Sequence, residues 1–299
     1  MKKAFREIVN GNIWLSFLAV VASFVVGGVL IAASSESVQA AATYLAARPS
    51  DFFLALWNSV FGAYDAMFRG AVFNYQANDF NQMVRPITET LAYATPIVMS
   101  GLGLAVAFKS GLFNIGASGQ IVFGAMFAGW VAIFVDLPGY IHFPIALLAG
   151  IIGGALWGAL AGFLKAATGA NEVIVTIMFN YIAILLLGYL LKTPVFKAPG
   201  SVNPISPPVH DSAKYALLFG EQFRVHAGLI AMLLAVVFVW WLLNRSSIGF
   251  QFRALGHNPN AAKAAGINIG LTTVLVMAVS GALSGLAGTS QIMGTEKFL

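Results

Sequence analysis

Apolar runs of about twenty residues recur along this chain, and a run of that length leaves little choice of fold, because about 20 residues of helix cross the roughly 30 Å of a bilayer core. Seven such runs are legible: Ile13 to Ala33, Ile87 to Phe108, Ile115 to Val135, Phe143 to Leu164, Val173 to Leu191, Ala227 to Leu243 and Leu271 to Gly288. In hydrocarbon every backbone N–H and C=O must be satisfied internally, so runs of this kind are helices. The expected fold is therefore all-α, a polytopic membrane helical bundle with about seven transmembrane helices. A soluble alternative fails on composition, since 59% of the 299 residues are hydrophobic and 9% are charged. The chain has no cysteine, which removes disulfide frameworks and thiolate metal sites. Its net charge of +5 is spread over loops, so membrane lipid is an expected partner and nucleic acid is not.

Two regions are expected. Residues 1–86 hold an anchor helix and an external amphipathic segment, and residues 87–299 hold the bundle core. The first run is longer than the 7 to 15 residues of a signal-peptide core, so it reads as a retained anchor. The aromatic stretch from Phe52 to Phe73 is broken by Asn58, Asp65 and Arg69, a pattern that fits a helix lying in the membrane interface. A cytoplasmic N-terminus puts Lys2, Lys3, Arg6, Lys109, Lys165, Arg245, Arg253 and Lys263 inside. The other eight lysines and arginines then lie outside, over segments roughly twice as long, so the positive-inside rule favours this orientation by density.

The loop from Arg245 to Ile269 contains a short helix with both ends written out. Asn258 can cap it, Pro259 suits its first turn, and Gly266 supplies a left-handed stop. Pro259 to Ala265 makes about two turns, roughly 10 Å, too short to persist without a surface to lie against. It is either a connector or a docking helix for a cytoplasmic partner. In the docking case its contact face includes Ala261, Ala262 and Ala265, with Lys263 pointing away.

Polar residues inside the runs suggest a solute path. Lys109 to Gln120 carries three glycines and several small polar side chains, including Asn114, Ser118 and Gln120, which implies a tight turn or broken helix. Such backbone is tolerated at membrane depth only when buried in protein or lining a cavity. Glu172, Thr176 and Asn180 share one helical face, with Asn171 placed to cap. Asn180 lies about two turns deep, where it must meet another helix or a wet path. Gly150, Gly154, Gly158 and Gly162 form a smooth stripe for close helix packing. The stretch Gly154 to Gly162 is echoed from Gly281 to Gly288 on a helix of opposite direction, as in an inverted repeat or by coincidence.

Catalytic readings do poorly. Gly116-Ala117-Ser118-Gly119 matches the G-x-S-G of rhomboid-like intramembrane serine proteases, but His226 belongs near the other face of the membrane. His142, His210, His226 and His257 have no metal-ligand spacing and read as solvated loop histidines, so neither a metal nor a catalytic residue is expected. No P-loop occurs, and no cofactor is expected in this chain. An ion-coupled secondary transporter is the main alternative, although only Glu172 and Glu89 lie near the spans as acids.

Three stretches together resemble the permease subunits of ATP-binding-cassette importers in the simple-sugar and nucleoside group, related to ribose and branched-chain amino acid permeases. They are Gly111 to Gln120, Asn171 to Ala183 and Gly249 to Ile267, the last read G-F-Q-F-R-A-L-G-H-N-P-N-A-A-K-A-A-G-I. The resemblance runs from about Ile87 onward. It implies that residues 245–269 are a coupling loop seated on an ATPase, through Arg253, Gly256, Asn258, Pro259, Ala261, Ala262, Ala265 and Gly266. It further implies ATPase subunits, a second permease in a heterodimer, an extracytoplasmic solute-binding protein, and a bacterial cytoplasmic membrane. The family usually has Glu where this chain has Ser118. Relatives also continue past the seventh span, so the resemblance implies a chain truncated relative to its family.

Overall fold

The structure, a computed structural model, describes residues 13–299. Lys2, Lys3 and Arg6, used above to orient the chain, lie outside the described residues. Those residues are helical with connecting loops, and seven helices are long and apolar enough to cross a membrane. The described residues divide into two compact units, one ending at residue 87 and the other spanning 88–299.

The first unit contains α1 (Ile13–Ser34), α2 (Glu36–Ala42) and α3 (Pro49–Ala71). The 22 residues of α1 reach about 33 Å, enough for a span. The stretch expected to lie in the membrane interface is one continuous helix, α3, opened by Pro49 in its first turn, and its placement corrects that expectation, because it lies alongside the span α1 instead of flat across its end. It runs back along α1: the Tyr64 hydroxyl donates to the Phe24 carbonyl, and a Cβ on Gly28 would stand 3.2 Å from Val60. Near the turn, the Ser35 and Ser59 hydroxyls are 2.8 Å apart. The charges breaking the aromatic pattern pair with each other, Arg69 Nε lying 2.7 Å from Asp65 Oδ2.

α4 (Phe80–Lys109) leads into the second unit, followed by α5 (Ala117–Phe134), α6 (Gly139–Thr168), α7 (Glu172–Leu190) and α8 (Gly228–Arg245). Next come α9 (Ser247–His257), the short α10 (Pro259–Ala264) and α11 (Ile269–Ser290), which continues as a π-helical turn, Gln291–Glu296. α4 and α6 each have 30 residues, about 45 Å, so they outrun the hydrocarbon they cross.

α11 is the centre of this unit, and its small residues are why. A Cβ on Gly154 would fall on the Gly281 carbonyl, one on Gly158 on the Met277 carbonyl, and one on Gly150 on Thr289. A Cβ on Gly162 would stand 2.9 Å from that of Met277. Each step up α6 meets an equal step down α11, so the two helices are antiparallel and backbone to backbone. The echoed glycine stretches are thus the two halves of one interface. α5 joins through Gly124 against Gly285, and α4 through Gly103, whose Cβ would lie 2.6 Å from the Ser280 carbonyl.

At one end, here the cap end, the connection from 191 to 227 folds over the bundle. It contains a single 3-10 turn at Asp211–Ala213 and is tied to the chain's last residues by backbone bonds, Val209 N–H to the Lys297 carbonyl at 2.9 Å and Tyr215 N–H to the Met293 carbonyl at 3.0 Å. Here the solvated-histidine expectation fails for two residues. His142 is fully buried and His226 is 2% exposed. The His142 ring nitrogens meet Ser212 Oγ at 2.7 Å and the Val131 carbonyl at 3.1 Å. A folded loop over the helix ends supplies partners that spacing along the chain does not reveal.

Candidate functional site

The opposite end, here the hairpin end, carries α9 and α10. Ser246 caps α9 by accepting the Gly249 N–H at 2.9 Å, and Phe252 and Leu255 bury the helix in the core. Gly256 sits where a Cβ would lie 2.5 Å from the Lys109 carbonyl and 3.0 Å from the Gly111 nitrogen. Gly111 has φ +71°, so the turn leaving α4 crosses the end of α9 glycine on glycine. Gly256 therefore locks the hairpin to the bundle.

α10 is built as its sequence implies. Asn258 Oδ1 accepts the N–H groups of Asn260 and Ala261 at 3.0 and 3.1 Å, and Gly266 stops the helix at φ +84°. Ala262 is 4% exposed, packed within its own chain, which removes it from the expected docking face and makes it the anchor of the helix. Asn258, Pro259, Ala261, Ala265 and Gly266 are exposed with Lys263 and Ala264. Arg253, on α9, is half-buried, and its Nη1 is enclosed with no hydrogen-bond partner among the described residues.

The expected solute-path residues divide. Asn114 is fully buried and Gln120 is 1% exposed. The two carboxamides pair reciprocally at 3.0 and 3.2 Å, Asn114 Nδ2 also donates to Ser280 Oγ at 2.8 Å, and Asn114 Oδ1 accepts the Gly116 N–H at 3.0 Å. Thr176 is buried against Gly116 and donates to the Glu172 carbonyl at 2.7 Å. These three line no open path in this conformation. Their polar atoms are consumed in holding the irregular segment between α4 and α5 against α7 and α11.

Asn180 performs the same service from outside. Its Oδ1 accepts the Gly119 N–H at 2.7 Å and its Nδ2 donates to the Ile115 carbonyl at 2.9 Å, so one side chain satisfies two backbone groups where α5 begins. Asn171 caps α7 by accepting the Val173 N–H at 2.9 Å, and Glu172 is neutralised by Lys165 at 2.6 Å. Ser118 is exposed at the first turn of α5. Across the α5–α6–α7 seam, Trp157 stacks on Phe123 at 3.6 Å and lies 4.8 Å from Phe179.

Sequence reasoning missed Ser280, the third member of the amide cluster, which lies 166 residues from Asn114 along the chain. It also missed a cap-end group in which Arg224 stands over the Tyr93 ring at 5.5 Å and 3.6 Å from Glu89. No local pattern marks either. The protease reading has no geometry to stand on: Ser118 opens α5 at the hairpin end, whereas His226 sits with Tyr215 and Thr295 at the cap end. The 18 residues of α5 alone measure about 27 Å.

Residues 87–298 match the family described as the permease component of branched-chain amino acid transport systems. Among curated proteins, the guanosine ABC transporter permease protein NupP of Bacillus subtilis is 38% identical over 248 residues, covering 82% of this chain and 64% of the relative. The glucose ABC transporter permease protein TsgB13 of Haloferax volcanii is 33% identical, covering 70% of this chain and 57% of the relative. The nucleoside ABC transporter permease protein NupB of Lactococcus lactis is 34% identical, covering 68% of this chain and 58% of the relative. The chain thus spans between 57% and 64% of the length of these relatives. No solved structure matches it.

Proposed function

Because the chain belongs to the family of permease components of branched-chain amino acid transport systems, we propose that it is the membrane-spanning subunit of an ATP-binding-cassette importer for a nucleoside or simple sugar. In this reading ATP is hydrolysed by separate subunits at the hairpin end, a second permease completes the pathway, and an extracytoplasmic protein delivers the solute at the cap end. The membrane is a bacterial cytoplasmic membrane with the N-terminus inside. Names of relatives carrying guanosine, nucleoside and glucose support the solute class.

The observation that carries the reading is α10. A six-residue helix cannot hold itself together, yet this one is capped at its start, stopped by a left-handed glycine and pinned by a single buried alanine. Its remaining alanines are bare. Small side chains on a stiffened, projecting turn allow close backbone approach by a second protein, which a simple connector has no need of.

The test is reconstitution in proteoliposomes with the cognate ATPase, partner permease and solute-binding protein. Uptake of labelled guanosine or glucose is expected to require ATP and to survive a protonophore. Ala261→Trp and Ala265→Trp are expected to abolish stimulation of ATP hydrolysis, because overpacking a close contact costs about 1 to 3 kcal/mol. Uptake driven by an imposed ion gradient without the ATPase would overturn the reading.

A further inference from the structure

Arg253 stands apart from the other cations of the hairpin end. Lys109, Arg245 and Lys263 are exposed and solvated, Arg245 lying over its own Trp240 ring at 5.9 Å, and Lys165 is paired with Glu172. Arg253 is half-buried, its Nη1 is shut away from solvent, and no described residue accepts a hydrogen bond from it. Enclosed donors are nearly always paired, and a guanidinium offers five N–H groups arranged to grip a carboxylate.

Its place on α9 explains how an unpaired cation is tolerated there. Gly249, Arg253 and Gly256 are spaced four and three apart, one face of the helix. Gly249 meets the Leu242 carbonyl at the end of α8, and Gly256 meets the Lys109 carbonyl at the end of α4. Arg253 thus shares the side of α9 that meets the C-terminal ends of α8 and α4, whose dipoles favour positive charge. Among residues 88–299 no free acid is at hand either. Of the six acids in residues 88–299, only Glu172 is at the hairpin end, and Lys165 holds it.

We propose that the Arg253 guanidinium is the anchor of the hairpin-end docking surface and takes a carboxylate side chain from the ATP-binding subunit. This rests on reading α10 as a docking element. The surface offers five basic residues against one neutralised acid, which calls for an acidic partner. α9 has exposed Ile248 and Phe250 that suit a membrane surface, but α10, which reads Pro-Asn-Ala-Ala-Lys-Ala, has no bulky apolar residue to insert, so a protein fits this surface better than anionic lipid. The exposed lysines, solvated and screened, steer the approach and add little to the bound state. The half-buried arginine has already given up part of its hydration, so pairing it costs less desolvation than pairing an exposed lysine, and its pairing is the contact that counts.

The experiment measures affinity of the detergent-solubilised permease assembly for its cognate ATPase, with thermal unfolding of the permease alone alongside. Arg253→Gln is expected to weaken binding at least about tenfold, as for a buried interfacial charge, while the unfolding temperature holds. Arg253→Lys is expected to recover part of the loss, and Lys109→Gln and Lys263→Gln to change binding less than about threefold. Parental binding by Arg253→Gln would overturn the proposal while leaving ATP-driven transport standing. Equal losses from all three cations would also overturn it, by making the surface diffuse. So would unfolding of Arg253→Gln without the ATPase, or loss only of the stabilisation given by phosphatidylglycerol nanodiscs. Failure of the parent assembly to bind any ATPase would strike the proposed function itself.

Discussion

Asn180 concentrates what the sequence could and could not tell. Its depth along α7 is readable by counting turns, and so is the need for a partner in hydrocarbon. The partner is not readable, because Ile115 and Gly119 belong to a helix start whose position depends on the whole turn from Ser110 to Gly116. Removing the carboxamide leaves two backbone groups unpaired, at about 1 to 3 kcal/mol each. Asn180→Leu is therefore expected to lower the unfolding temperature of the purified permease, with any transport defect following from that. An unchanged temperature with lost transport would return Asn180 to the solute path. His226 makes a second prediction at this scale. Burial, and then the positive charges of Arg224 and Lys297, push its pKa down to about 4 from an ordinary 6.5. A base depressed in the folded state contributes stability that is complete above the unfolded pKa and is lost as pH falls toward the folded one. The loss should run between pH 6.5 and about 4, and it amounts to about 3 kcal/mol at its fullest. His226→Gln is expected to flatten that part of the unfolding-temperature profile, and an unaltered slope would assign the acid sensitivity elsewhere.

The elements were the most legible level. Apolar run length placed all seven spans, since in a bilayer length and composition decide whether a helix crosses. The ends were less readable: α4 begins at Phe80 and α6 at Gly139, several residues ahead of the apolar runs, because polar residues continue a helix into the headgroup layer without penalty. The glycine stripe announced close packing but not its partner. That partner is the echoing stretch on α11, so the likeness between the two stretches has a packing account, each surface made smooth to fit the other. The interface predicts sharply different outcomes for one kind of substitution. Gly154→Ala and Gly158→Ala place a methyl on backbone carbonyls of α11, which cannot retreat without moving the helix. Gly188→Ala in α7 meets nothing within 4 Å. Thermal unfolding should show the first two strongly destabilised and the third neutral or slightly stabilised, the last by the helix propensity of alanine. Equal behaviour of all three would mean that α6 and α11 are not in backbone contact.

For the molecule as a whole, the two ends of residues 88–299 differ in acids rather than in bases. Five lysines and arginines fall at each end, whereas five acids gather at the cap end against one at the hairpin end. Acids weigh little in the rule that orients membrane proteins, so within this unit positive charge does not choose a side. The choice comes from function. If α10 meets an ATP-binding subunit it must face the cytoplasm, and the cap built from residues 191–227 must then face outward. A chain without cysteine allows a clean test. Ser206, otherwise a natural probe of the cap, is 4% exposed and would report burial instead of sidedness, so Val202, 94% exposed, takes its place. Asn260, exposed on α10, probes the other end. A cysteine at Asn260 should react with a membrane-impermeant maleimide only in inverted vesicles, and one at Val202 only in intact spheroplasts. The reverse pattern would put α10 outside the cell, where no ATPase could reach it, and both the docking surface and the role of Arg253 would fall with it.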